Sequence, residues 1–332
     1  MRTVMRKILL GTGGAAVLAV SAAVATLEWR FAKGREDVER AWAQASVQPL
    51  DSLGATRRLE ILPLIDESGA APGLQTEAGV SYLIRTDHNT ILFDVGLNAL
   101  RGDPSPLQAN MKRLGISLAD IDTIVISHPH LDHVGGFRWA RQSSFSLGDT
   151  QTDLSGKRIF VPVPMTYPGA APVVTGAPTV IGPGVATTGA IAGQLYMGRV
   201  EEQGLAIRVE GKGIVLVVGC GHQGLQRLLE RTSQLADAPL FGLVGGLHYP
   251  VPNGRFVVAG VDVQRLVVFG PFRGPEAADV EHAAADLAAR KPSWVSLSPH
   301  DSSDQSLETF RRAFGARYHD LRVGDWLRIA PE

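Results

Sequence analysis

The chain has 332 residues, 45 % of them hydrophobic and 20 % charged, with 32 basic and 33 acidic side chains and a formal net charge of -1. This length and composition exclude a disordered or fibrous chain and leave room for one large α/β domain or two smaller ones. The balanced charge, without any Lys/Arg run, supplies no sign excess to drive binding to nucleic acid or to anionic lipid. One cysteine, Cys220, excludes an internal disulfide framework.

Arg2, Arg6 and Lys7 precede a run without charge from Ile8 to Leu27, and Ala23-Val24-Ala25 offers a small-x-small pattern. This layout predicts that residues 1–27 are a signal peptide or an N-terminal membrane anchor. The expected location is exported, periplasmic or extracytoplasmic. An uncleaved chain would be anchored in the inner membrane through residues 8–27. Residues 28–57 are polar and helical in composition and are expected to form a linker or helix. The folded domain is expected over residues 58–332.

Within that domain, residues 59–65, 80–85 and 90–94 have strand composition, with a turn at Asp87-His88-Asn89. Residues 107–114 have helical spacing and stop at Gly115. Residues 121–126 predict a short strand that runs into Ser127 and then His128-Pro129-His130-Leu131-Asp132-His133. Residues 143–196 are rich in Gly, Pro, Thr and Ala and poor in charge. They read as loops over one face, apart from a strand at 158–162. Such loops are expected to wall the pocket and to favour a substrate with apolar surface.

Residues 205–210 and 214–219 predict a hairpin turned at Gly211-Lys212-Gly213, followed by a helix at 223–234 and a strand at 240–244. Residues 276–290 predict a helix with Pro275 at its first position. A strand at 294–297 then delivers Ser298-Pro299-His300. A helix near 307–314 and a closing strand at 326–329 complete the chain. Two stretches of strands, each followed by helices, fit a four-layer α/β/β/α sandwich.

The chemistry lies in the spacing His-x-His-x-Asp-His at the end of a strand. Three imidazoles and a carboxylate within six residues cannot all be core residues, because burying them unpaired would cost several kcal/mol. Neutral imidazole and carboxylate are good ligands for zinc and also serve iron or manganese. A tight turn there can aim His128 and His130 at one ion and Asp132 and His133 at a neighbouring one. A small-molecule substrate follows from such a centre.

With these residues the sequence resembles the metallo-β-lactamase superfamily. Within it, the chain is similar to the branch that includes the 7,8-dihydropterin-6-methyl-4-(β-D-ribofuranosyl)-aminobenzene-5'-phosphate synthases. The matching segments are Gly79-Val80-Ser81-Tyr82-Leu83-Ile84, Ile91-Leu92-Phe93-Asp94-Val95-Gly96, 124–136, Gln203-Gly204-Leu205-Ala206, Gly219-Cys220-Gly221-His222, Gly245-Gly246-Leu247-His248 and Pro299-His300. The chain departs from the branch at Pro129, where Gly is usual. It departs again at Asp301-Ser302-Ser303, where Cys-Thr-Gly is frequent.

The resemblance implies the metallo-β-lactamase sandwich with two divalent metal ions. It also implies a last ligand at His300 and a second-metal place at the 219–222 strand end. That place falls to Cys220 or His222, or is absent. His248 is a ligand or a substrate contact, and Asp94 orients the His/Asp turn from behind. His88, His282 and His319 receive no role. The implied activity is hydrolysis of an ester, amide or phosphoester by a metal-activated water, with Asp132 and His248 as the catalytic side chains. The alternatives are a diiron oxidoreductase, which typically has Glu where this chain has His130, and a non-catalytic binding protein that retains the fold.

Overall fold

A computed structural model describes residues 2–69 and 71–329; of residues 2–18 it describes the backbone alone. Helix α1 (Arg2–Gln44) runs without a break across the expected boundary at 27/28. Among the described residues no helix is long and apolar enough to cross a membrane. The apolar run 8–27 extends into residues 2–18, whose side chains lie outside the described part. The second half of α1 packs on the domain. Phe31 and Val38 are buried, Glu39 pairs with Arg227 at 2.6 Å, and the Trp42 indole donates to Glu230.

The first sheet takes β1 (Leu59–Ile65), β2 (Ser81–Arg85), β3 (Thr90–Phe93), β4 (Thr123–Val125), β5 (Arg158–Val161) and β6 (Val173–Val174) side by side in chain order. The pairs β1–β2 and β2–β3 are antiparallel, and β3 to β6 are parallel. Parallel neighbours need crossovers. Helix α2 (Pro106–Arg113) supplies one between β3 and β4, and α3 (Phe137–Arg141) lies between β4 and β5. Ser105 and Gln108 form a capping box at the start of α2, with Pro106 at its first position.

The second sheet begins with β7 (Thr179–Gly182) and β8 (Val185–Thr187). A separate hairpin follows, β9 (Ile191–Leu195) with β10 (Gly198–Glu202), and α1 lies against it. Then come β11 (Leu205–Val209), β12 (Gly213–Val218), α4 (Leu225–Leu235) and β13 (Leu240–Gly245). A small hairpin, β14 (Val257–Val258) and β15 (Val261–Asp262), leads directly into α5 (Val263–Phe269). The chain continues with α6 (Ala277–Ala289), β16 (Trp294–Leu297) and α7 (Asp304–Phe314). The sheet order is β16-β13-β12-β11-β8-β7, and β17 (Leu327–Ile329) returns to the first sheet beside β1.

Strand alternation divides the apolar residues between layers. Tyr82 faces inward with Ile61 and Phe93 and meets Val185, Leu205 and Val217 of the other sheet. Leu83, one residue on, faces outward with Leu92 onto Leu107, Met111 and Trp139. The outer face of the second sheet, with Leu216 and Leu243, packs on Leu228, Leu287 and Phe310. Three cores therefore separate four layers, the α/β/β/α sandwich expected from the sequence.

The local expectations need three adjustments. Residues 143–196 lie mostly outside strands, as expected, but β6 to β9 fall within them besides the expected β5. These strands are short and rich in Gly, Pro and Thr, and pairing defines them: β8 lies antiparallel to β11, with Thr187 opposite Leu205. Pro275 is not the first residue of α6, because Glu276 is the cap and forms a capping box with Asp279. The β14–β15 hairpin and α5 carry no periodic signal and were not expected.

Candidate metal centre

Strands β1, β3 and β4 run in one direction in the first sheet, and β12, β13 and β16 are mutually parallel in the second. Their carboxyl ends carry every residue of the centre, as open α/β sheets commonly arrange. Asp66 follows β1, Asp94 follows β3, and residues 127–133 follow β4. Cys220 and His222 follow β12, His248 follows β13, and His300 follows β16.

Two donor groups form there. His128, His130 and His222 bring ring nitrogens within 4.8 Å of one another. His128 Nε2 lies 3.1 Å from His130 Nδ1. In the second group, Asp132 Oδ2 lies 3.8 Å from His133 Nε2 and 3.6 Å from His300 Nε2. Cys220 Sγ lies 3.1 Å from His133 Nε2 and 3.4 Å from His300 Nε2. Cys220 also forms a trio with His222 and His248. The sequence left one strand-end place to Cys220 or His222. The structure brings both to the centre: Cys220 joins the Asp132 group and His222 the His128 group, and the two also meet each other beside His248.

The donors suit divalent ions. Both ring nitrogens of His222 are buried without a hydrogen-bond partner, as are those of His248. Buried polar groups are normally satisfied, and a missing partner costs about 1–3 kcal/mol. Burial, reinforced by the neighbouring histidines, pushes the His128 ring well below its usual range, and burial does the same at His222. Both rings are thus neutral and free to coordinate. Burial alone would raise the Asp132 carboxyl, but His133 and His300 outweigh it and hold it well below the usual carboxylate range. Burial opposes charge on His300, yet the Asp132 hydrogen bond and the Asp301 charge push it up to about 9. A ring that draws a proton among carboxylates stands where a cation is favoured.

Each half of the centre is braced from behind. Asp94 Oδ2 lies 2.7 Å from His133 Nδ1, and its carboxylate accepts from the Ser127 amide and hydroxyl at 2.7 and 2.6 Å. The same hydroxyl is 2.9 Å from His128 Nδ1. Asp94 adopts φ 60, sparsely populated for a residue with a Cβ. On the other side, Ser298 Oγ lies 3.1 Å from His300 Nδ1 and donates to Asp66, which also accepts from the Tyr82 hydroxyl at 2.9 Å. Such partners set ring orientation and tautomer.

Glu202 holds the third wall. Its carboxylate accepts from the amides of Cys220, Gly221 and His222 at 2.9, 2.8 and 2.8 Å. Burial pushes its carboxyl up to about 7. Gly246 makes the close approach possible, because a Cβ there would overlap the Asp301 carboxylate and the Gly219 carbonyl. The His248 amide donates to Asp301 at 3.1 Å. Its ring lies 4.7 Å from that of His222 and 6.0 Å from that of Phe269 on α5.

Sequence reasoning singled out Asp94 but missed Asp66, Glu202, Ser298 and Asp301. A usable signal existed for Asp66. It follows the apolar run of β1 as Asp94 follows that of β3. His319 stacks on Trp294 at 3.6 Å, away from the centre.

A cavity of about 550 Å³ opens beside His222. Of residues 143–196, only Gly193 and Gln194 on β9 line it. Helices α1, α4 and α6 form most of it, and Arg35, Glu39, Glu230 and Asp286 make it charged rather than apolar.

A family profile described as the metallo-β-lactamase superfamily matches residues 75–145, which include the whole His/Asp turn. Residues 75–145 thus match the profile of that superfamily, and the chain has the metallo-β-lactamase fold. It is similar to the 7,8-dihydropterin-6-methyl-4-(β-D-ribofuranosyl)-aminobenzene-5'-phosphate synthase of Methanocaldococcus jannaschii, 25 % identical over 261 residues, 64 % of this chain and 85 % of the relative. A crystal structure of a metal-dependent hydrolase of the β-lactamase superfamily aligns with TM-score 0.57 at 20 % identity, over 82 % of this chain and all of the other. The metallo-β-lactamase fold protein YhfI of Bacillus subtilis aligns with TM-score 0.49 at 12 % identity, over 82 % of this chain and all of that one.

Proposed function

We propose that the protein is a metal-dependent hydrolase acting on an ester, amide or phosphoester of a small molecule. The supporting observation is the pair of donor groups, His128/His130/His222 and Asp132/His133/Cys220/His300, meeting at one edge of the sandwich with the His222 nitrogens unpartnered. These residues would hold two divalent ions, zinc by donor type, with iron or manganese compatible. Bound there, such ions supply a water of near-neutral pKa and Lewis-acid stabilisation of the oxyanion.

The protein groups do the rest. Asp132, ionised and 26 % exposed, accepts the proton of the attacking water and relays it to the leaving group. Burial holds the His248 pKa down to about 3, so its neutral ring offers one N–H donor and one acceptor to the substrate. Asp94 and Asp66 hold the rings of His133 and His300 in register. Glu202 fixes the 220–222 turn.

The test uses full-length protein purified without chelator. Elemental analysis should find about two ions per chain. Hydrolysis of an aryl ester or a bis-aryl phosphoester should vanish on chelation and return with added zinc or manganese. A folded, metal-free protein that hydrolyses these substrates at the original rate would overturn the proposal.

A further inference from the structure

Seven of the large apolar side chains exposed on this protein fall within 17 consecutive residues: Phe256, Val257, Val258, Val261, Leu266, Val267 and Phe272. They belong to the β14–β15 hairpin, α5 and the turn after it. Phe256 is 59 % exposed and Phe272 is 71 % exposed. Met197, 64 % exposed, extends the patch, since its amide donates to Val267. Single exposed apolar residues are ordinary, but a contiguous group marks a surface with a partner.

Helix α1 meets the protein at this patch. Glu28 pairs with Arg273 at 2.5 Å, and the Phe31 ring lies 5.7 Å from that of Tyr196, whose amide donates to Val268. The residues just before Glu28 identify the partner. From Ile8 to Leu27 there is no charged side chain. As helix this run is about 30 Å long, the depth of a bilayer core. Trp29 and Arg30 follow it, both exposed, in the pattern of residues that sit at a lipid headgroup layer. The charges at its rim are largely paired: Arg255 meets Asp304 and Arg273 meets Glu28, while Arg265 donates to the Pro250 and Pro275 carbonyls.

We propose that the face formed by Trp29, Met197, Phe256–Val261, Val267 and Phe272 lies against a lipid bilayer, with residues 8–27 of α1 tethering it there. The helix alone would leave open how the domain tilts against the bilayer. The apolar face adds a second point of contact and sets one orientation. This inference does not depend on the hydrolase reading.

Hydrogen–deuterium exchange on the full chain tests it, with and without vesicles of phosphatidylcholine and phosphatidylglycerol. Vesicles should slow exchange across 254–273 by about tenfold, with the surface turn at 211–213 unchanged. The double variant Val258→Asp/Phe272→Asp alters exposed positions only and should melt like the parent. It should lose the protection at 254–273. Three results would overturn the proposal: no association of the full chain with vesicles; association with exchange at 254–273 unchanged; or protection without lipid that rises with protein concentration, which would mean that a second copy covers the patch.

Discussion

The two donor groups of the centre are built differently. His128, His130 and His222 offer three imidazoles, all drawn from loops after β4 and β12. Asp132, His133, Cys220 and His300 offer a carboxylate and a thiol as well, and a buried carboxylate stands behind each of the two rings, Asp94 behind His133 and Asp66 behind His300 through Ser298. The first group would therefore hold an ion through neutral donors alone. The second concentrates negative charge and fixes its rings more rigidly. In the proposed hydrolysis, proton transfer would fall to the second group, because its Asp132 supplies the carboxylate among the donors.

The strongest way to break this contrast is Asp132→Asn. It keeps size and removes the charge and the proton acceptor. Turnover of the aryl ester or bis-aryl phosphoester should fall by about two orders of magnitude, while the melting temperature holds. Unchanged turnover with full metal content would show that the second group does not handle the proton.

Asp94→Asn should come next. Asp94 touches His133 and, through Ser127, His128, so it braces both groups. Metal affinity, read by competition with a chelating dye, should weaken by about 10–100-fold. Asp66→Asn reaches only His300 and should weaken one ion by about tenfold, leaving the other unchanged. Loss of both ions together would mean that the two groups are not separate units.

Tyr82→Phe should act least. It removes one donor to Asp66 and should cost about 1–2 kcal/mol of stability in denaturant unfolding, with both ions retained. A loss of metal from this variant would place Tyr82 much closer to the function than its position behind Asp66 suggests.

Much of this centre was legible in the sequence because it is local. Residues 128–133 lie in one turn, so spacing alone brings His128, His130, Asp132 and His133 within reach of one another. Cys220, His222, His248 and His300 each stand at the end of an apolar run, which is a readable position. Their sorting into groups was not readable, since residues some 90 to 170 positions apart meet only when the two sheets stack. The same reason hid Glu202, a lone acid beside a short strand and indistinguishable in sequence from a surface residue until its partners arrive. Asp66 stood at a readable strand end, but it reaches His300 only through Ser298. The charged cavity wall was missed for a related cause: helices α1, α4 and α6, far apart in the chain, converge on it.

The sequence by itself determined the longer apolar strands, the six-residue donor turn and the uncharged run at residues 8–27, because each depends on neighbours within a few positions. Tertiary structure decided which histidine shares an ion with which, which carboxylates stand behind them, and that the short strands of 173–187 belong to sheets at all. Those outcomes depend on pairing and burial between distant segments, where the energy of a hydrogen bond or a buried charge is set by surroundings that no local pattern records.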